Sequence, residues 1–483
     1  MTRLRILVNA ILVNLTLCFT INISGTRRQL STTLWDAKSM PLDDLKVAVI
    51  GGGPSGLLLT HNLLARGAHV TVYERRTDPR LSKDLEGRAY ALGLGLRGRN
   101  AIRSIDGLWE PIKEQGFESD RFTLYINGLP LKLRDTSSKS GLEPSLLIYQ
   151  SDLCSAMLDV IETHDWNGRH SIEFEQKIEY CNFETRCIYL ANNKSEGPFD
   201  LIVGCDGVNS VVRDSMSAAS VKFISEKATL PGEFKVCRLM SSPGKLDSTS
   251  VCLVLPKSGS TTCFVEPTST GSCLLFAGRK GPEDSILSPN INVTTIVEAL
   301  KERFPLLMGA DFEEIARQLV SQKLSSASSV KCNTYHYNGV GVICGDAAHA
   351  TGGVSGQGVN SALVDAVILA QSLVKHYDPA DKEESLQSAL LRYSQKQVPE
   401  GVALYDLSFG PNPKGFKKLQ LLINNVVDSL FQGRFGIGKE PLQTMLTTSS
   451  KSFADIRRER NSFYENPFPD QGYFEFEISN IYK

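Results

Sequence analysis

No C-x-x-C pair and no H-x-x-x-H spacing occurs in this sequence, although it holds eleven cysteines and seven histidines. Neither a disulfide framework nor a metal centre is indicated, and the odd, thinly spread cysteines point to a reducing compartment for the mature protein. Excess charge is missing too. Lysine and arginine total 52 against 53 acids, a formal net charge of −1, which argues against a broad basic face for nucleic acid or anionic lipid. Internal repeats and low-complexity tracts are absent, and after residue 35 no segment reads as a membrane span. What is there is an ordinary globular composition, 41% hydrophobic and 22% charged over 483 residues, ample for a large core and two domains.

The first 35 residues are different. They carry Arg3, Arg5, Arg27 and Arg28, with no acid before Asp36. An apolar stretch from Ile6 to Ile23 is interrupted by Asn9, Asn14, Thr16, Thr20 and Asn22, and a hydroxylated basic stretch, 26–33, follows. This is the pattern of a removable address for a mitochondrion or plastid, with a secretory route or a membrane anchor as the alternatives. Residues 36–45 form a polar lead-in.

From residue 46 the pattern is that of a nucleotide-binding unit. Lys46 to Ile50 is a short buried-strand run that ends in Gly51-Gly-Gly53-Pro54-Ser55-Gly56. Leu57 to Arg66 is helical and closed by Gly67, and His69 to Glu74 is a second strand. This β-α-β setting gives a G-x-G-x-x-G its meaning. Gly51, Gly53 and Gly56 let the backbone approach a pyrophosphate, which rests on the amides that Pro54 and Ser55 open at the helix N-terminus. Glu74 can accept both ribose hydroxyl hydrogens of an adenosine. The fingerprint does not separate FAD from NAD.

Two later segments repeat the strand, turn and helix order. Asp200 to Gly204 leads into Cys205-Asp206-Gly207, with Ser210 and Arg213 beyond. Val340 to Cys344 leads into Gly345-Asp346-Ala-Ala-His349, then Gly356-Gln357-Gly358-Val359-Asn360 and a helix from Ser361. Glycines here allow the backbone to pass against a flat ring, and Asp346 can hold a ribityl hydroxyl. A helix N-terminus stabilises the negative charge of a reduced flavin. His349 is read as packing within its turn. Between 220 and 335, alternating runs at 234–239, 250–255, 262–266 and 272–277 read as antiparallel strands. Residues 361–376 read as an apolar helix and 385–432 as helical throughout. The stretch 453–483, with Arg457, Arg458 and Arg460 among aromatics, reads as surface packing.

In this order and at these separations, the three elements resemble the flavoprotein monooxygenases typified by para-hydroxybenzoate hydroxylase, and most of all the kynurenine 3-monooxygenases. The likeness is carried by Tyr73-Glu74-Arg75-Arg76, Arg97-Gly98-Arg99, Leu201 to Gly207, and Gly345 to His349 with Gly356 to Gly358. It covers roughly 46–410 and is thin between 220 and 335.

The resemblance implies an α/β fold, a Rossmann-like FAD-binding domain with an inserted mixed or antiparallel-sheet substrate domain and a C-terminal helical region. The FAD-binding parts would be 46–115, 146–218 and 336–380, the substrate parts 116–145 and 219–335, and the helical region 381–483. FAD is implied as cofactor and NAD(P)H as co-substrate, with O2 and a small aromatic substrate as the other reactants. Gly51, Gly53, Gly56, Glu74 and Arg75 would hold the adenosine half, Arg88 would lie near the pyrophosphate, and Gln150 would contact the cofactor. Asp206 and Gly207 belong to an element associated with both FAD and NAD(P)H. Arg121 falls where the kynurenine enzymes hold the substrate carboxylate.

There are departures from the family pattern. The proline that stands three residues before the G-Q-G is Gly353 here, and the aromatics after it are Val354 and Ser355. The Asn-Tyr-x-Glu-Met segment of the kynurenine enzymes is replaced by Gly410-Pro-Asn-Pro-Lys-Gly415, and no tyrosine stands near Leu133. A flavin-dependent epoxidase or reductase acting on an isoprenoid or carotenoid lipid, and a non-catalytic flavoprotein, are the alternative readings.

Overall fold

The computed structural model describes residues 40–81, 90–135, 143–278, 286–288, 291–410, 442–464 and 466–469. The address-like residues 1–35, Arg88 and the part of the expected helix beyond Gly410 lie outside them.

The strand Lys46–Ile50 (β1) is buried along its whole length after Lys46, as a run of Val-Ala-Val-Ile requires when both faces of a parallel sheet are covered. It sits inside a six-stranded sheet. On one side come His69–Tyr73 (β2) and His170–Glu173 (β8). On the other come Leu201–Gly204 (β12), Gly341–Ile343 (β20) and His336–Tyr337 (β19). All pairs are parallel except β19 with β20. The helix Pro54–Leu64 (α1) starts with proline in its first turn, where the missing N–H costs nothing. It lies against Gly358–His376 (α8), which also carries Leu96–Arg103 (α2) and Lys382–Phe409 (α9). Among the described residues α8 is the one helix long and apolar enough to cross a membrane, and these neighbours cover it.

A second six-stranded sheet runs in the order Glu233–Leu239 (β14), Gly271–Gly278 (β17), Thr262–Thr268 (β16), Val251–Val254 (β15), Arg121–Ile126 (β5) and Leu129–Asp135 (β6). Only β15 with β5 is parallel. Side chains alternate across it. One side, with Cys237, Val265, Leu274, Phe276 and Tyr125, packs on the helices Val293–Arg303 (α6) and Phe312–Ser321 (α7). These helices depart from the all-strand reading of 220–335. Their buried positions, Ile296, Ala299 and Leu300, then Ile315, Ala316 and Leu319, follow the helical period, and Asn292 and Asp311 cap them.

The opposite side of this sheet faces a small sheet of Ala91–Leu94 (β3), Ser145–Tyr149 (β7) and Phe117–Ser119 (β4). Two further three-stranded sheets complete the strands among the described residues. One joins Ile178–Asn182 (β9), Cys187–Leu190 (β10) and Ser195–Glu196 (β11), the other Ser225–Thr229 (β13), Ser328–Cys332 (β18) and Ala350–Thr351 (β21). The remaining helices are Trp109–Gln115 (α3), Gln150–Thr163 (α4), Val211–Ala219 (α5), Leu442–Thr448 (α10) and Phe453–Glu459 (α11).

The basic cluster near the C-terminus is not a surface feature. Arg457 is 2% and Arg460 8% exposed. Arg457 Nε donates to Asp406 Oδ2 at 2.8 Å, so α11 is tied to α9 by an ion pair rather than left to solvent.

Candidate active site

The three glycine–acid turns meet at the C-terminal ends of β1, β12 and β20. Gly51 has φ +107°, and a Cβ built on it would lie 2.4 Å from the Cys205 carbonyl oxygen, so the first turn is pressed against the second. A Cβ on Gly345 would lie 3.2 Å from Ser55 Oγ, which brings the third turn onto the start of α1. Arg213, buried in α5, joins the last two: it donates to Ala347 O at 3.1 Å and to Val208 O at 3.0 Å. Its place in the second motif was legible, but its cross-brace was not.

This convergence leaves open space at particular backbones. Nothing lies within 4 Å of a Cβ built on Gly53, Gly207, Gly353 or Gly356. The helix N-termini at Gly53 and Gln357 have no side-chain cap and no acid in the first turn. Both therefore present amide N–H groups and the positive end of the helix dipole to an anion. Pro54 and Ser55 open α1, and the half-buried Gly358 and Val359 open α8. Asp346 stands beside that second opening, 3.9 Å from where a Cβ of Gly358 would be.

Other residues are placed as follows. Glu74 Oε2 accepts the Gly52 N–H at 2.9 Å, so the carboxylate reaches back onto the glycine turn, while Arg75 is exposed beyond it. Asp206 Oδ2 accepts the Val211 N–H at 2.6 Å, and its other oxygen is buried without a hydrogen bond among the described residues. Burial pushes this carboxyl up. Gln150 opens α4 with its Oε1 in the same condition. Asn360, fully buried, is committed to the chain: it accepts from Gly95 N–H at 2.8 Å and donates to Gly93 O at 3.0 Å. Gln357 is buried at the start of α8.

His349 packs in its turn through a partner in α8, an acid inside the otherwise apolar run 361–376. Asp365, 1% exposed, lies 2.7 Å from His349 Nε2 and also accepts the Gly345 N–H at 2.9 Å. Burial opposes a charge on His349, yet the Asp365 carboxylate outweighs it and the imidazole's pKa is raised. The family proline's position is accounted for as well. Gly353 has φ +79° and follows Gly352 at φ +59°, a backbone that proline, fixed near −65°, cannot adopt.

Arg121 is not brought to this place. It shares a sheet side with Thr123 and Tyr125, and Tyr125 packs on the α6–α7 side. Its guanidinium donates to Thr249 Oγ1 at 2.6 Å. Phe122 and Leu124 face the other way, with Leu253, Leu255 and Phe264. Along that side stands Arg238, whose guanidinium lies 4.2 Å over the Tyr149 ring at the approach to Gln150.

The FAD binding domain family matches residues 44–408 of the sequence. The chain belongs to that family. A kynurenine 3-monooxygenase of Phaeosphaeria nodorum is 26% identical over 394 residues, covering 76% of this chain and 77% of its own. That of Sus scrofa is 26% identical over 388 residues, covering 77% and 76%. Among solved structures, 2-methyl-3-hydroxypyridine-5-carboxylic acid oxygenase superposes with TM-score 0.62 at 18% identity, over 88% of this chain and 100% of its own. Tetracycline destructase Tet(55) superposes with TM-score 0.54 at 18% identity, over 83% and 98%.

The residues present fit FAD. The space at Gly53 and the uncapped start of α1 suit a pyrophosphate. The buried, unsatisfied oxygens of Asp206 and Gln150, with Asp346 at the start of α8, suit a polyhydroxyl chain and a ring edge. This FAD-dependent monooxygenase should therefore lose flavin more readily through Asp346→Ala than through His349→Ala. Loss of a charged hydrogen-bond acceptor costs about 1.5–3 kcal/mol. Flavin titration of the two apoproteins measures the difference, and equal weakening would mean that Asp346 does not face the cofactor.

Proposed function

We propose that this FAD-dependent monooxygenase takes electrons from NAD(P)H and transfers one atom of O2 to a small aromatic substrate. In balance, NAD(P)H, a proton, O2 and the ring give NAD(P)+, water and the hydroxylated ring. FAD, when bound, passes electrons from the nicotinamide to oxygen.

The observation that carries this reading is the meeting of the three turns, with open backbone at Gly53, Gly207 and Gly356, at the C-terminal ends of β1, β12 and β20. Gly51, Gly53, Gly56 and the α1 N-terminus would hold the pyrophosphate, and Glu74 the ribose. Asp346, Gln150 and the α8 N-terminus would hold the flavin end. Phe122, Leu124, Leu253, Phe264 and Leu275 form the apolar wall that excludes water from the substrate.

Purified full-length protein is expected to be yellow and to consume NAD(P)H faster when a suitable small aromatic compound is added, giving a product heavier by one oxygen atom. A colourless folded protein that takes up no flavin would overturn the reading. So would turnover confined to isoprenoid lipids, or NADH and NADPH oxidation that no aromatic compound stimulates.

A further inference from the structure

Three residues stand in one row across the second sheet. Arg238 on β14 and Glu266 on β16 are both in register with Cys273 on β17, and all three lie on the side that faces Tyr149. The row offers Glu266 a cation two strands away, yet the two do not pair. Arg238 turns the other way, over the Tyr149 ring, with Nη2 3.5 Å from Asp152 Oδ2 and 3.4 Å from Thr270 Oγ1.

Glu266 is half-buried and makes no hydrogen bond or ion pair among the described residues. The side chains along its side of the sheet are apolar, Phe264 two residues back and Leu253 on the adjoining strand. Tyr149 Oη and Thr268 Oγ1 lie buried beside one another without a well-formed hydrogen bond to any described residue. Burial alone pushes the Glu266 carboxyl up to about 7. Half-buried among apolar groups and without a counter-charge, this carboxyl relies on the little water that reaches it, and a ligand that displaces that water without bringing a donor leaves the acceptor unsatisfied.

We propose that Glu266 accepts a hydrogen bond from an amino or hydroxyl substituent of the aromatic substrate and so selects rings that bear one. The inference rests on the aromatic hydroxylation proposed above and names the feature of the ring that is read. Its chemical sense is direct. A carboxylate that accepts an N–H or O–H hydrogen bond leaves more electron density on the ring, which favours oxygen transfer to carbon.

The test uses the full-length flavoprotein, wild type, E266Q and E266L, with flavin content measured for each. The probes are 2-aminobenzoate, 2-hydroxybenzoate and benzoate, with binding read from the perturbed flavin spectrum at equilibrium. Wild type is expected to bind the amino and hydroxy acids about tenfold or more tighter than benzoate. E266L should lose that preference with benzoate binding little changed, and E266Q, whose amide oxygen still accepts, should keep part of it. Three results overturn the inference: the preference survives in E266L, E266L loses flavin, or none of the probes perturbs the wild-type flavin. Failure of the broader reading is separate and is seen as NAD(P)H oxidation that no aromatic compound stimulates, while binding still reports on Glu266.

Discussion

Gly53→Ala and Gly56→Ala, three residues apart in one motif, are expected to fail in opposite ways. A Cβ on Gly56 would lie 2.0 Å from the Gly51 carbonyl oxygen, which is backbone and cannot swing aside. The start of α1 must then move off the end of β1. Overpacking of this kind costs roughly 1–3 kcal/mol, so in a chain of this size G56A should melt about 1–3 °C lower even without cofactor, and should be recovered with little flavin. At Gly53 nothing lies within 4 Å of the added Cβ and φ is −82°, so alanine is accommodated in the apoprotein. G53A should therefore melt with wild-type apoprotein and yet bind FAD about tenfold or more weakly, because the methyl group occupies the approach to the pyrophosphate. Thermal melts of the apoproteins and FAD titrations decide both arms. Wild-type flavin affinity in G53A would place the pyrophosphate elsewhere.

Asp365→Ala should be as damaging as any substitution in the third motif, although no cofactor need touch it. Its carboxylate receives the Gly345 N–H and the His349 ring at 2.9 and 2.7 Å inside the core. Removing one member of such a buried pair costs roughly 3–5 kcal/mol, a large part of the 5–15 kcal/mol typical of a folded domain. D365A should show a depressed denaturation midpoint and loss of flavin together, D365N a smaller effect, and H349A, which leaves the buried Asp365 carboxylate without its partner, a fall in midpoint of similar size to that of D365A. Acidity gives a second reading. Because His349 has its pKa raised above 6.5 by Asp365, their attraction is fully present below about pH 6.5 and fades as pH rises through the higher folded value. Wild type should lose that increment of stability on the alkaline side, and D365N should not. A D365A protein with normal stability and flavin content would show that the turn is held by other means.

These residues also show what the amino-acid order does and does not reveal. The strands β1, β12 and β20 and their turns are legible because a nucleotide demands particular residues close together in the chain, glycine for approach and an acid at a fixed offset. Asp365 is not legible, since inside an apolar helical run a lone acid gives no sign that it faces a histidine sixteen residues away. The helices α6 and α7 are hard to read from sequence because the alternating runs that precede them, between 234 and 277, give the whole region a strand-like character. Arg121 illustrates a sharper limit. Its place on the strand was foreseeable, but the side of the sheet it serves depends on one residue of parity, and that is set by which side the helices cover. Glu266 is hidden for the same reason: alternation assigns it a side without saying what that side faces.

The order of strands in the first sheet bears on how the chain comes to hold its cofactor during synthesis. The Gly51 turn is made early, but β12 and β20, which complete its surroundings, follow in the chain, β20 roughly three hundred residues later. At about 5–20 residues per second a ribosome needs on the order of 15–60 s to deliver that last strand. Until β12 emerges, roughly 150 residues after β1, the Val-Ala-Val-Ile strand has only β2 beside it, and from then until β20 arrives the edge open to wrong partners is that of β12. Flavin capture is thus a late event on the way to the finished protein. A nascent chain arrested before α8 emerges should leave with the fingerprint intact and no colour.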